Sequence, residues 1–382
     1  MKKIQFNVDD VMPRLAQVVR LVNARHTMPI LADVLLETKR GAEGVTYLML
    51  TASDNETWLS MKAPLMDGEE GVALCVNAAD FNTAVANLRS LNLVMTIDEE
   101  HHSLTCDYGN GHFQLPYEDA TVFPRAEVPA AEDTTNMMLD GARLATLIER
   151  TNFATSTDDL RPLLTGVRFD FSDNGTVSAA SDAHKLARYL DKTVKTDTGV
   201  KMGFTLPKKP STFLTAILAN YEGSVRVAFN QRNAVFNNKE FRLVTRLIDG
   251  RYPNYEAIIP YDNDIKADID KDAILTALKR TLLMANNTSE LVSLTFMDRQ
   301  VILTAVDDDM GKAASESVEC DYDGGQLTIG FNGTNLGLVL RSINCERVRL
   351  MMKGSASACI MRPVEDEDGS EYLAIVMPMK IS

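Results

Sequence analysis

Three short patterns recur in the same order along this chain, about 130 residues apart, and no other feature narrows its fold as much. The first is an apolar residue and an aspartate ahead of an amphipathic stretch: Val8-Asp9, Leu139-Asp140 and Ile269-Asp270. The second is a β-rich run ending in Ala-x-Asp, at Asp54, Asp182 and Asp307. The third opens another amphipathic stretch, at Val76-Asn77, Leu206-Pro207 and Phe331-Asn332. The steps are 131 and 130 for the first pattern, 128 and 125 for the second, and 130 and 125 for the third. That period is far too long for a solenoid and fits a whole domain. The 382 residues therefore read as three copies of one domain, 1–128, 129–258 and 259–382. Pro- and Ala-rich residues 124–135 and polar residues 260–266 serve as the linkers.

Each copy carries two helical signals. Val11, Leu15, Val18 and Val22 fall at steps of four, three and four, which is one face of a helix. Asp9 or Asp10 is expected to cap it, with Pro13 in its first turn. The six helical windows are 10–26, 79–90, 141–153, 208–220, 271–284 and 333–344. Between them the period falls to two, as in Val167-Arg168-Phe169-Asp170-Phe171 and Val348-Arg349-Leu350, the mark of a sheet with one wet face. Each copy is thus α+β, two helices lying on antiparallel sheet.

The net charge of -14 argues against nucleic acid until its distribution is followed. The six helical windows hold twelve basic and four acidic residues, a net of +8, which leaves -22 on the rest. A basic helical surface on an acidic protein suits phosphate contact without base reading, since no aromatic platform accompanies it.

Several chemistries are not expected. Cys75, Cys106, Cys320, Cys345 and Cys359 lack any CxxC spacing, so a zinc site or disulfide framework is not anticipated, and a reducing cytoplasm suits them. There is no phosphate-binding GxxxxGK[ST] loop and no G-x-S-x-G elbow. No run of eighteen apolar residues occurs, and no apolar stretch follows the basic Met1-Lys2-Lys3 start. Neither a metal nor a cofactor is expected. Glu99-Glu100-His101-His102 reads as a polar turn. Asp307-Asp308-Asp309 reads as a solvated turn. The alternative is a metal-dependent phosphoesterase built on those three carboxylates.

Other segments carry a family resemblance. Leu247-Ile248-Asp249-Gly250-Arg251-Tyr252-Pro253-Asn254-Tyr255, Arg161-Pro162-Leu163-Leu164-Thr165-Gly166-Val167, Ser181-Asp182-Ala183-His184-Lys185-Leu186-Ala187 and the tail Val376-Met377-Pro378-Met379-Lys380 together resemble the bacterial replicative sliding clamp, the beta subunit of DNA polymerase III holoenzyme. The likeness covers essentially the whole chain. It implies three clamp domains per chain in a head-to-tail homodimeric ring, helices inside and sheets outside. Such a protein is a non-catalytic processivity factor that slides on double-stranded DNA and tethers the replicative polymerase, the clamp loader and repair proteins. Helix spacing agrees with a dimer. Six helices at about 9 Å leave a hole of about 7 Å, whereas twelve leave about 24 Å, enough for a duplex.

The resemblance also assigns residues. DNA contact falls to Arg25, Lys208 and Lys209, with Arg14, Arg20, Arg150, Lys279 and Arg280 as further helix basics. A pocket for partner peptides, between the second and third domains, takes Leu164, Ser181, Ala183, His184, Lys185 and Leu186. It also takes Pro253, Ile258, Asn332, Asn335, Ile375, Met377, Pro378 and Met379. An apolar cleft with a few polar groups suits a short linear peptide, and methionines adapt to varied ligands. Relatives often carry basic residues where this chain has Ala79 and Asp80, an arginine where it has Ala257, and sometimes an aromatic where it has Ser289.

Overall fold

The computed structural model describes residues 2–23, 27–41, 43–130, 134–196, 202–219 and 221–381. Packing divides the chain into two compact units, one of residues 1–140 and 223–247, the other of 141–222 and 248–382. The middle repeat therefore contributes to both.

In the first unit, strand Lys2–Asn7 leads straight into α1 (Val8–Val19) and strand Ala73–Asn77 into α2 (Ala78–Ala86). Both junctions use asparagine. Asn7 accepts from the Asp9 amide at 2.9 Å, and Asn77 accepts from the Ala79 and Asp80 amides, each at 3.1 Å. Such caps satisfy amides that a helix leaves without partners. Asp9 and Asp10 lie inside the first turn of α1, so neither is the expected cap, and Pro13 lies one turn further in than anticipated. The Asp9 carboxylate instead accepts from the Ser90 amide and hydroxyl. The strand preceding the first helix ends at Asn7, which makes Asn7, not Asp9, the counterpart of Asp140 and Asp270.

Two antiparallel sheets complete this unit. The five-stranded one runs in the order Asp67–Gly68, Lys2–Asn7, Asn92–Asp98, Ser103–Tyr108, Gly111–Pro116. The nine-stranded one begins Glu118–Asp119, Ala73–Asn77, Asp33–Arg40, Thr46–Ser53, Thr57–Pro64. It continues through Phe241–Arg246, Asn233–Asn237 and Ser224–Phe229 to Thr135–Asp140. Thr57–Pro64 and Phe241–Arg246 join the first repeat to the second, with Trp58 opposite Val244. Phe6, Phe81 and Phe236 are fully buried.

The second unit holds α3 (Gly141–Asn152), α4 (Lys208–Leu218), α5 (Lys271–Leu282) and α6 (Gly333–Ser342) on one twelve-stranded sheet. All six helical windows thus hold helices, each a little shorter than the window. Asp270 caps α5 through the Ala273 amide at 2.8 Å, and Asn332 caps α6 through the Asn335 amide at 2.9 Å. Strand Lys185–Asp191 pairs antiparallel with Ser370–Val376, with Leu186 opposite Ile375, and joins the second repeat to the third. Strand Ile265–Asp270 begins inside the expected 260–266 linker. Asn263 in that linker is buried and donates to the carbonyls of Met351 and Ala358, each at 2.9 Å. No helix among the described residues is long and apolar enough to cross a membrane.

Candidate nucleic-acid and peptide interfaces

The basic helix residues differ in how far the fold engages them. Arg20 is exposed just past the end of α1, while the Arg14 guanidinium donates back to the Asp10 carbonyl. Arg25 lies outside the described residues. Lys208 and Lys209 are the first two residues of α4. The positive end of a helix is an unfavourable place for two lysines and a favourable one for a phosphate. Lys279 is exposed on the last turn of α5. Arg280 beside it is held in an ion pair with Glu316, which pushes the Glu316 carboxyl below its usual range. Arg150 donates to the Ser342 carbonyl at 3.0 Å and to Glu367 at 3.3 Å. Arg143 pairs with Asp191 at 3.0 Å. Part of the helical excess is thus neutralised by carboxylates from distant segments, which a count within the helical windows does not register.

The residues assigned to a peptide pocket all fall in the second unit. Its floor is a cross-strand row, Leu186 opposite Ile375 opposite Ile360, buried with Ile259. At one end of that row sits a tight turn. The Asp182 carboxylate accepts from the His184 amide at 2.9 Å and the Lys185 amide at 2.8 Å. Ser181 Oγ accepts from the Ala183 amide and donates to the Lys185 carbonyl. Ala183 has φ +74°, a left-handed conformation that this hydrogen-bonded turn imposes on a non-glycine residue. His184 is exposed. Lys185 is only 7% exposed, and its ammonium is shared between Asp182 and Asn335 Oδ1, the latter at 3.0 Å.

The C-terminal tail forms the opposite wall. The Met377 amide donates to the His184 carbonyl at 2.9 Å, and the Met379 amide to the Gly330 carbonyl at 2.8 Å. A Cβ on Gly330 would lie 2.8 Å from the Met379 carbonyl oxygen, so this close approach requires glycine. Met377 is 45% exposed and Ile258 58% exposed, and neither is core. Pro253 is exposed and Leu164 half-buried. Asn332 is occupied by capping α6 and by donating to the Ser289 carbonyl and Glu290. A cavity of about 420 Å³ adjoins the tail, between Pro378, Met379 and Ile381 on one side and Thr328, Ser355 and Ala356 on the other. The last three carry no motif. Only the bridge that lays the tail beside Gly330 brings them to it.

No group of three potential metal ligands lies together among the described residues. Asp307 is not solvated as expected. It is buried at the end of strand Gln300–Asp307 and accepts from Asn286 at 3.3 Å, while Asp308 and Asp309 are exposed. His101 closes the 99–102 turn against Asp98 at 2.9 Å.

Comparison with known proteins agrees with this arrangement. Models of the DNA polymerase III beta subunit match over three consecutive stretches: the N-terminal domain over 2–127, the central domain over 138–254 and the C-terminal domain over 256–380. A curated beta sliding clamp from Pseudomonas putida is 29% identical over 368 residues, 96% of each chain. One from Staphylococcus aureus (strain Mu50) is 24% identical over 97% of each. A crystal structure of the Pseudomonas aeruginosa sliding clamp bound to griselimycin superposes with a TM-score of 0.90 at 27% identity over 100% of both chains. That of the Thermotoga maritima beta subunit gives 0.88 at 23%.

Proposed function

We infer, from the premise that this chain belongs to the DNA polymerase III beta subunit family, that it works as a sliding clamp: a processivity factor that encircles duplex DNA and tethers a polymerase to it. Three clamp domains, read as 1–128, 129–258 and 259–382, make half of the ring. A second copy closes it head to tail.

The observation that carries this reading is a pair of open strand edges. Within the chain, one repeat joins the next by an antiparallel strand pair, 57–64 with 241–246 and then 185–191 with 370–376. Two counterparts remain. Gly111–Pro116 ends the five-stranded sheet. Strand Lys312–Asp321 pairs fully with Gln300–Asp307, but on its other side meets a neighbour only at Cys320 and Asp321. Exposed edges of this kind invite pairing. Continuing the register of the two internal junctions sets Gln114 opposite Ala313 and Phe113 opposite Ala314, large beside small. Joining these two edges reciprocally between two copies leaves neither of them open, which is how a closed oligomer differs from a fibre.

DNA contact is assigned to Arg25, Lys208 and Lys209, with Arg14, Arg20, Lys279, Arg150 and Arg280 contributing less. Contact is electrostatic and weak, because topology rather than affinity retains a ring. The pocket formed by Leu164, Leu186, Ile258, Ile375 and Met377 takes partner peptides from polymerase, clamp loader and repair proteins. The protein is non-catalytic and acts in the cytoplasm. The test is retention on DNA after loading by a clamp loader. The protein should stay on a nicked circle and be lost within minutes once the circle is linearised. Equal loss from both forms would sink the ring.

A further inference from the structure

We propose that the first unit carries a second peptide groove, at the junction of the first and second repeats, which takes an extended acidic peptide with an apolar anchor. The proposal rests on reading the Leu186 groove as a peptide site, because the two junctions correspond residue by residue. Leu186, Ile375 and Ile360 form one cross-strand row, and Trp58, Val244 and Val235 form its counterpart. The hydrogen bond from the Met377 amide to the His184 carbonyl recurs from the Arg246 amide to the Glu56 carbonyl, again at 2.9 Å. The segment Tyr252-Pro253 is matched by Phe123-Pro124.

The side chains differ in ways that select a ligand. Trp58 replaces Leu186, fills the floor and donates from Nε1 to the Pro124 carbonyl at 2.9 Å. What remains is a cavity of about 190 Å³ between Trp58, Phe123, Val128 and Val244, room for one apolar side chain. A second cavity of about 270 Å³ adjoins it and shares Val128 and Arg242. The rim is basic. Lys39 and Arg125 flank Glu37, which pairs with both, and Arg226 is held by Asn136. Arg242, on the rim of both cavities, is exposed and makes no ion pair among the described residues. On a chain of net charge -14, this local positive excess favours carboxylates on either side of the anchor.

Trp58 is the chain's only tryptophan, so emission excited selectively through tryptophan, and not through the ten tyrosines, reports on this groove. The probe is a synthetic peptide with one Leu-Phe pair flanked by aspartates, titrated into the full-length protein. Trp58 emission should change saturably, and equally so in a Leu164→Ala/Met377→Ala variant. Arg242→Glu should weaken that response at least tenfold while leaving binding at the Leu186 groove, read by anisotropy of a labelled partner-type peptide, unchanged. If the Leu186 groove binds nothing but the Trp58 response persists, only the earlier reading fails. An unaltered Trp58 emission, a response abolished by Leu164→Ala/Met377→Ala, or equal binding of a lysine-flanked peptide would overturn the proposal.

Discussion

The two internal junctions share a backbone and differ in what stands on it. Both pair the strand after a tight turn with the last strand of the next repeat, and both bury a three-residue apolar row. In the first unit the row is led by Trp58, and the mouth is spanned by an ion pair between Arg246 and Glu56 at 3.1 Å. In the second, Leu186 leads the row, and the same two mouth positions hold Met377 and His184, both exposed. A repeated architecture therefore supplies grooves wherever domains meet. Side-chain volume and mouth chemistry then make the two grooves differ.

That contrast can be broken from either side. The largest effect is expected from Trp58→Ala, which removes the floor of the first junction's groove. Truncating a buried tryptophan costs about 3–5 kcal/mol, read as a lower denaturation midpoint. A loss below about 1 kcal/mol would mean that Trp58 is not packed as the floor of this groove. In the second junction, Leu164→Ala with Met377→Ala should weaken partner-peptide binding about tenfold, equivalent to about 1.4 kcal/mol. The melting temperature should barely move, because Met377 is half-exposed and Leu164 only half-buried. Unchanged affinity by titration calorimetry would remove both residues from the pocket.

A smaller effect sharpens the comparison two strands further in. Gly166 packs against Ile248 in the second unit, and its counterpart in the first is Asp33, beside Glu118. Burial, then the Glu118 charge, pushes the Asp33 carboxyl up to about 6. A carboxyl raised in the folded state binds its proton more tightly there than when unfolded. Stability therefore falls as pH rises from about 4 to about 6 and stays lowered above. Because Asp33 is only partly buried, solvent screening reduces the penalty to about 1 kcal/mol. Asp33→Asn should raise the melting temperature at pH 7.5 and flatten its decline between pH 4 and 6. An unchanged slope would assign the decline to other groups. The smallest effect belongs to Arg246→Met. An ion pair this exposed contributes less than about 0.5 kcal/mol, so only groove access, not stability, should respond.

The sequence alone determined the threefold repeat, the six helices and the alternation of sheet faces, because each rests on local signals: a period of 3.6 or 2, a capping residue, a strand ending at a fixed register. The Ala-x-Asp pattern also marked the end of the strand before Asp182, whereas the pocket role of Ser181–Leu186 followed only from the family resemblance. At the start of α1 the same local reading failed by two residues, because Asn7 and two aspartates compete for one capping position and only the strand ending at Asn7 decides between them. The tertiary structure alone decided what depends on segments far apart in the chain. Arg150 meets Glu367 and Arg280 meets Glu316, so the basic helices are partly neutralised by carboxylates that no helical window contains. Thr328, Ser355 and Ala356 become a cavity wall only when the tail crosses beside Gly330. Two equivalent junctions came to carry different floors and different mouths through side-chain volume and charge acting across strand pairs that lie nearly two hundred residues apart.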